Sequence, residues 1–151
     1  VAPQRIVYTE RPHQYTVYLL PADIASYGNS DPPWVYRNVT TFAVMEGSRG
    51  GVTERFAVPY PLWRINCSVA AERTPQYARF QVALMDAETG SLVDALEMRY
   101  PGSSTRIIRE HSREFYLIVG ASQIDRFTIA LEVPDDWTGA PVSGCTGIRC
   151  G

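Results

Sequence analysis

Three cysteines, two histidines and sixteen carboxylates carry most of the reactive chemistry of this 151-residue sequence, and their spacing decides whether they can act together. Cys67 falls in phase with Trp63 and Ile65 on the apolar side of an alternating run. That is the position of a buried thiol serving as a small hydrophobe, not of an activated nucleophile. Cys145 and Cys150 stand close together in a Gly-rich C-terminal stretch, where a disulfide closing a short loop suits an oxidising compartment. Pairing of one of them with Cys67, or between subunits, is the alternative, and an odd count leaves one thiol over. The spacing does not fit a zinc site, since His13 and His111 lie far from the cysteines in sequence. Ser112 beside His111 is adjacency without a third, orienting group, and no G-x-S-x-G elbow is present. The carboxylate pairs Asp86/Glu88, Asp94/Glu97 and Asp135/Asp136 have the type needed for glycoside hydrolysis, but solvated turn and edge charge is the stronger reading. No Gly-rich phosphate loop precedes a helix. These residues point to no catalytic site, no metal and no cofactor, hence to a protein that is not an enzyme.

Two further patterns concern surfaces. Asn38-Val39-Thr40 and Asn66-Cys67-Ser68 match the N-glycosylation acceptor, with Asn38 at a loop exit and Asn66 on the polar side of its run. Aromatic residues, Tyr27 among them, crowd the first forty positions, and Tyr60, Trp63 and Tyr77 follow. Trp63 reads as core. Tyr8, Tyr15, Tyr18, Trp34, Tyr36 and Trp137 make the candidate contact surface, because exposed aromatics with arginine stack on sugars or anchor a protein partner.

The elements that must hold these groups are strands. Period-two alternation dominates from Phe42 onward. Phe42 and Val44 share one side; Trp63, Ile65, Cys67 and Val69 share another. The pattern recurs in Phe80, Val82 and Leu84, in Phe115, Leu117 and Val119, and in Phe127, Ile129, Leu131 and Val133. An antiparallel sheet with one wet face produces this pattern. Gly47-Ser48-Arg49-Gly50-Gly51, the stretch Asp86-Ala87-Glu88-Thr89-Gly90 and Pro101-Gly102 supply turns. The best helical window, 87–98, is interrupted by Thr89-Gly90. The expected fold is all-β, an antiparallel β-sandwich of jelly-roll or Ig-like type with roughly eight to ten strands. It occupies 1–133 as a single domain, with 134–151 as an extended tail rich in Gly, Pro, Ser and Thr. Segments 5–10 and 14–20 read as strands apolar on both sides, each needing a partner on both faces in this domain or in a neighbour's sheet. The irregular stretch 22–37 is long for a plain connection and reads as a contact loop.

Charge narrows the function classes. The net charge is −2, which argues against a nucleic-acid binder; all fourteen basic residues are arginine, as genomic base composition or a preference for planar interface contacts would give. No apolar run is long enough to cross a membrane as a helix. The chain opens at Val1 without a basic, apolar leader, as a processed mature chain does, and as a trimmed one does too.

A rhythm runs through 51–134. Val52-Thr53-Glu54-Arg55-Phe56 precedes Leu62-Trp63-Arg64-Ile65, and Ala78-Arg79-Phe80-Gln81-Val82 precedes a tip at Ala87-Glu88-Thr89-Gly90 and the Pro101-Gly102 turn. Glu114-Phe115-Tyr116-Leu117-Ile118-Val119 and Phe127-Thr128-Ile129-Ala130-Leu131 close the stretch. It resembles the jelly-roll domains of secreted and cell-surface proteins, especially the pre-peptidase C-terminal type and archaeal surface or lipoprotein-like relatives. The aspartate-rich calcium loops that some of those carry are absent from the sequence. The resemblance implies an accessory, non-catalytic extracellular module and carries over no functional residue. The expectation is a secreted or cell-surface structural subunit that self-assembles as a homo-oligomer or with another surface protein. The alternative is a carbohydrate- or ligand-binding module that uses exposed aromatics.

Overall fold

The computed structural model describes residues 3–15, 17–20, 38–109 and 113–135. Ten strands follow in order: β1 (Gln4–Arg5), β2 (Val39–Gly47), β3 (Gly51–Val52), β4 (Phe56–Val58) and β5 (Trp63–Ala70), then β6 (Arg79–Asp86), β7 (Leu92–Met98), β8 (Gly102–Ile108), β9 (Arg113–Ser122) and β10 (Arg126–Pro134). The described residues contain no α-helix, and no helix among them is long and apolar enough to cross a membrane. Window 87–98, the best helical candidate, is the tip of a hairpin and the strand that follows it. The Asp86 carboxylate accepts from the N–H groups of Glu88 (2.8 Å) and Thr89 (3.2 Å), and Gly90 takes φ 75°, so the turn chemistry outweighs helical propensity there.

The strands form two five-stranded sheets. The first runs β1-β2-β10-β5-β8; the second runs β3-β9-β6-β7, with β4 also paired to β9. From β2 onward the chain crosses between sheets at most connections; only β3–β4 and the β6–β7 hairpin stay within one. This is the double Greek-key order of a jelly roll, so the fold is a β-sandwich of the jelly-roll type and not the Ig-like one. Trp63, Phe80, Leu84, Phe115, Phe127 and Leu131 are fully buried between the sheets. Truncating one such aromatic to alanine costs about 3–5 kcal/mol.

The alternation that predicts the fold fails by one residue at β2. Pairing with β10 shifts between Leu131 and Glu132, so Phe42 has no partner opposite it while Ala43 faces Leu131. This bulge lets Phe42 turn toward the core, edge-on to Trp63 and Tyr60, on the same side as Ala43 and Met45. Phe42 and Val44 therefore do not share a face, contrary to the strict alternation.

The N-terminal segment is also different from its sequence reading. Residues 5–10 and 14–20 are not two strands. Only Gln4–Arg5 pairs as a strand, parallel to β2, and Tyr8 forms an isolated bridge to Thr53. A 3-10 turn at Pro12–Gln14 breaks the second predicted run. The segment is a strap that starts on the edge of the first sheet, as Ile6 N–H donates to Val44 O (2.9 Å). It then crosses to the second sheet, where Thr9 N–H donates to Val52 O (2.7 Å) and Glu54 N–H to Val7 O (2.9 Å). Ile6 enters the main core. Tyr15 lies on the outer face of the second sheet, stacked on Tyr116 at 3.7 Å and 6° between planes. There it closes a second apolar cluster with Val52, Ala83, Met85, Ala95 and Ile118, flanked by Val17, Tyr18 and Leu20. The two-sided burial thus belongs to β6 and β9, whose continuous apolar runs face the sandwich core on one side and the strap on the other. Leu19, by contrast, stays exposed.

Candidate functional site

The β5–β6, β7–β8 and β9–β10 connections gather at one end of the sandwich together with the β2–β3 turn, because Gly47 pairs with Phe127, Gly51 with Val119, Arg79 with Ser122 and Phe80 with Met98. The loops at this end are pinned to one another. Asp125 N–H donates to Ala70 O (2.8 Å), Glu72 N–H to the Asp125 carboxylate (2.7 Å), and the Thr74 hydroxyl to Gln123 Oε1 (3.2 Å).

On this frame two tyrosines project outward. Pro75 opens a 3-10 turn over Pro75–Tyr77, and Tyr77 N–H donates to Thr74 O (2.9 Å). The next residue, Ala78, is buried and anchors the turn, which leaves Tyr77 66% exposed. Beyond buried Met98 the chain continues through Arg99, Tyr100 and Pro101 into Gly102, whose φ of +140° lies in the region that favours glycine. Tyr100 is 69% exposed. Between the tyrosines is a cleft of about 270 Å³ lined by Gln76, Tyr77, Ala78, Arg79, Arg99 and Tyr100.

The floor of the cleft is electrostatic. The Phe80–Met98 register sets Arg79 and Arg99 one position further along their neighbouring strands, where two like charges repel. Glu97 offsets this. Its side chain is only 6% exposed, and its carboxylate accepts from Arg79 Nε (2.9 Å), Gln81 Nε2 (3.1 Å) and Arg99 Nη2 (3.4 Å). A buried carboxylate so satisfied holds two exposed guanidinium groups in place. A second, wider cleft at the same end, about 640 Å³, lies among Glu46, Ser48, Glu72, Asp125 and Arg126.

The residues singled out from sequence are scattered. Cys67 is completely buried and unpaired by any disulfide, and burial pushes its thiol pKa up, away from thiolate chemistry. Asp94 and Glu97 cannot act as a pair because they project from opposite faces of β7. Asp94 shares the inner face with Leu84 and meets Arg106 across to the other sheet (2.9 Å), while Glu97 sits beside Gln81 outside. Asp86 is committed to its turn. Asp135 accepts from the Thr40 hydroxyl (2.6 Å) and donates its N–H to Asn38 O (3.0 Å). Among the described residues no group of three or more His, Cys, Asp or Glu side chains is arranged to hold a metal ion.

Asn38 is exposed. Asn66 is half-buried on the outer face of the first sheet, with its amide 3.5 Å from Glu132, which in turn accepts from Arg64 Nε (2.6 Å). Of the proposed contact surface, Tyr15 is buried against Tyr116 and so is not part of an exposed surface. Tyr8 is half-buried, its hydroxyl donating to Arg49 O (2.6 Å), and Tyr18 is half-buried, edge-on to His13. Trp34, Tyr36, Trp137, His111, Ser112, Asp136, Cys145, Cys150 and the loop 22–37 lie outside the described residues. Tyr77 was visible in sequence only as one aromatic among many, and Tyr100 not at all. The available signal was positional: each is an aromatic within two residues of a turn proline, close to the ends of neighbouring strands.

No family model matches the chain, the pre-peptidase C-terminal type included, and no curated protein matches it in sequence. Solved structures similar in backbone include two of low sequence identity. One, titled as the X-ray structure of CPMV top component, is 12% identical with a TM-score of 0.37, over 66% of this chain and 76% of that one. The other, titled as the EclA C-terminal domain, a sugar-binding protein, is 14% identical with a TM-score of 0.35, over 68% of this chain and 84% of that one. At these values neither assigns a function to this chain.

Proposed function

We propose that this chain is a non-catalytic β-sandwich module of a secreted or cell-surface protein, and that it binds carbohydrate at the loop end carrying Tyr77 and Tyr100. One observation supports this above the others: two exposed tyrosines flank a single cleft, Tyr77 on a loop fixed by hydrogen bonds and Tyr100 next to the Arg99–Glu97 ion pair. Large, rigid rings with a polar tip cover sugar faces at small entropic cost. Neither phenol has a hydrogen-bond partner among the described residues, so both are available to ligand hydroxyls. The test is binding of the whole chain to an immobilised glycan panel, followed by calorimetry on the positives. Tyr77→Ala and Tyr100→Ala are each expected to weaken binding at least tenfold with an unchanged melting temperature. A panel without any bound glycan overturns the reading.

Self-assembly as a structural subunit is the second reading. It draws on Val7 and Leu19, the two large apolar side chains that the strap leaves in water. The in-domain seating of Ile6 and Tyr15 removes the need for strand exchange with a neighbour, although not other contacts between copies. Native mass separates the two readings, since a monomer that binds glycan supports the first and polymers support the second.

A further inference from the structure

We infer that the Tyr77/Tyr100 cleft selects saccharides bearing a carboxylate, as uronic acids do, over neutral ones; this rests on the carbohydrate reading above. The argument comes from the charges of the cleft. Arg79 and Arg99 together carry two positive charges, and the one carboxylate that meets both is Glu97. The local balance is therefore positive by one charge in a chain whose net charge is −2. Glu97 engages Arg79 through Nε alone, which leaves the Nη1/Nη2 fork of that guanidinium, and engages Arg99 through one N–H of Nη2, which leaves the second Nη2 hydrogen to form a fork with the adjacent nitrogen. Neither guanidinium has another hydrogen-bond or ion-pair partner among the described residues, and the two side chains are 52% and 65% exposed.

A planar guanidinium with two free donors matches a planar carboxylate by two parallel hydrogen bonds, which a sugar hydroxyl cannot reproduce. Glu97 is the positioning residue. Buried between the two strands, it fixes both forks at the rim of the cleft, so that little side-chain freedom remains to be lost on binding. The tyrosines then supply contact area common to any pyranose, and the arginines supply discrimination. The acidic groups of the same end, Glu46, Glu72 and Asp125, line the other cleft and not this one. Glu46 faces Arg126 (3.9 Å), and Asp125 accepts the Glu72 N–H.

The experiment compares an oligogalacturonide with its methyl ester, the same sugar without the charge, by calorimetry on the full chain. A sulfated oligosaccharide of similar length is the third ligand. The acid is expected to bind about tenfold more tightly than the ester, with an advantage that shrinks as salt is raised. Arg99→Gln is expected to cut the acid's advantage over the ester, read as the ratio of the two affinities, with the melting temperature unchanged. Arg99→Lys keeps the charge and loses one of the two forks, and is expected to retain only part of the acid's advantage over the ester. Should Arg99→Gln fail to fold, the lysine variant and the salt series still decide the matter. Equal binding of acid and ester by the native chain overturns the inference and leaves the carbohydrate site standing. Tighter binding of the sulfated ligand by the native chain overturns it too, in favour of charge without geometry. Failure of all three ligands on a chain that binds another, neutral glycan refutes only this inference, and failure on every glycan refutes the site itself.

Discussion

Tyr8 shows how a single side chain can report on the joint between the two sheets. Its ring lies so close to Gly51 that a Cβ there would stand 2.9 Å from it, so only glycine admits the tyrosine at this corner. Its hydroxyl donates to Arg49 O (2.6 Å), and burial pushes its pKa up to about 12 against a weaker opposing pull from Arg49. Burial raises Tyr15 and Tyr116 in the same direction. The unfolded chain therefore loses these protons at lower pH than the folded one does. The stability that depends on the neutral phenols is complete below pH 10 and is lost as pH rises through about 12. Urea midpoints measured across that window should fall steeply for the native chain and less steeply for Tyr8→Phe. At neutral pH the same variant should lose about 1 kcal/mol, the net worth of one hydrogen bond. An equal alkaline slope in both proteins would show that Tyr8 does not contribute.

Among the elements, the strap is the one whose role the sequence half disclosed. Its apolar residues announced that residues 1–20 must be buried against something, and that much was legible. What they could not disclose is which element was buried on both sides. Tyr116 and Ile118 interleave with Phe115, Leu117 and Val119 in one unbroken apolar run, and the outward members meet Tyr15 and its neighbours rather than solvent. A period-two reading of the inner members alone hides that second face. The same short range of the pattern hid the bulge at Phe42, which is set by long-range pairing with β10, and hid Tyr100, whose importance comes from lying across a cleft from Tyr77. Gly120 marks the strap's path. A Cβ at that position would stand 2.6 Å from the Leu20 side chain, so the strap lies directly on β9. Deleting residues 1–20 exposes Tyr116, Ile118, Ala83 and Met85 and empties the seat of Ile6. The melting temperature should drop by the same amount at every protein concentration, because the lost contacts are within one chain. Tyr15→Ala alone should cost about 3–5 kcal/mol. A deletion that changes only the oligomeric state would place the strap between subunits.

For the whole molecule the question is where the folded unit ends, and β10 carries that unit at least to Asp135. This strand is flanked on both sides, by β2 and by β5, so it is the central strand of the first sheet. Its pairing with β2 continues through Val133 opposite Thr40 and Pro134 opposite Val39, and both residues are buried. Asp135 then ties the end down through Asn38 and Thr40. A cut after Asp135 keeps all of these contacts. A cut after Leu131 removes Glu132, and with it the 2.6 Å partner of Arg64, together with two buried apolar residues and the last three ladder pairs. At roughly 1.5–3 kcal/mol for each large buried apolar side chain, with the Arg64–Glu132 ion pair also lost, the second loss is comparable to much of a domain's net stability. The chain ending at Asp135 should therefore unfold in one cooperative transition at the melting temperature of the full sequence. The chain ending at Leu131 should melt far lower or fail to fold, as read by circular dichroism. The glycan affinity of the longer truncation should equal that of the full chain, because Tyr77, Tyr100, Arg79 and Arg99 lie on strands and loops that the cut does not touch. If the cut after Asp135 instead lowers the melting temperature, residues 136–151 contribute to the fold and the unit extends past β10.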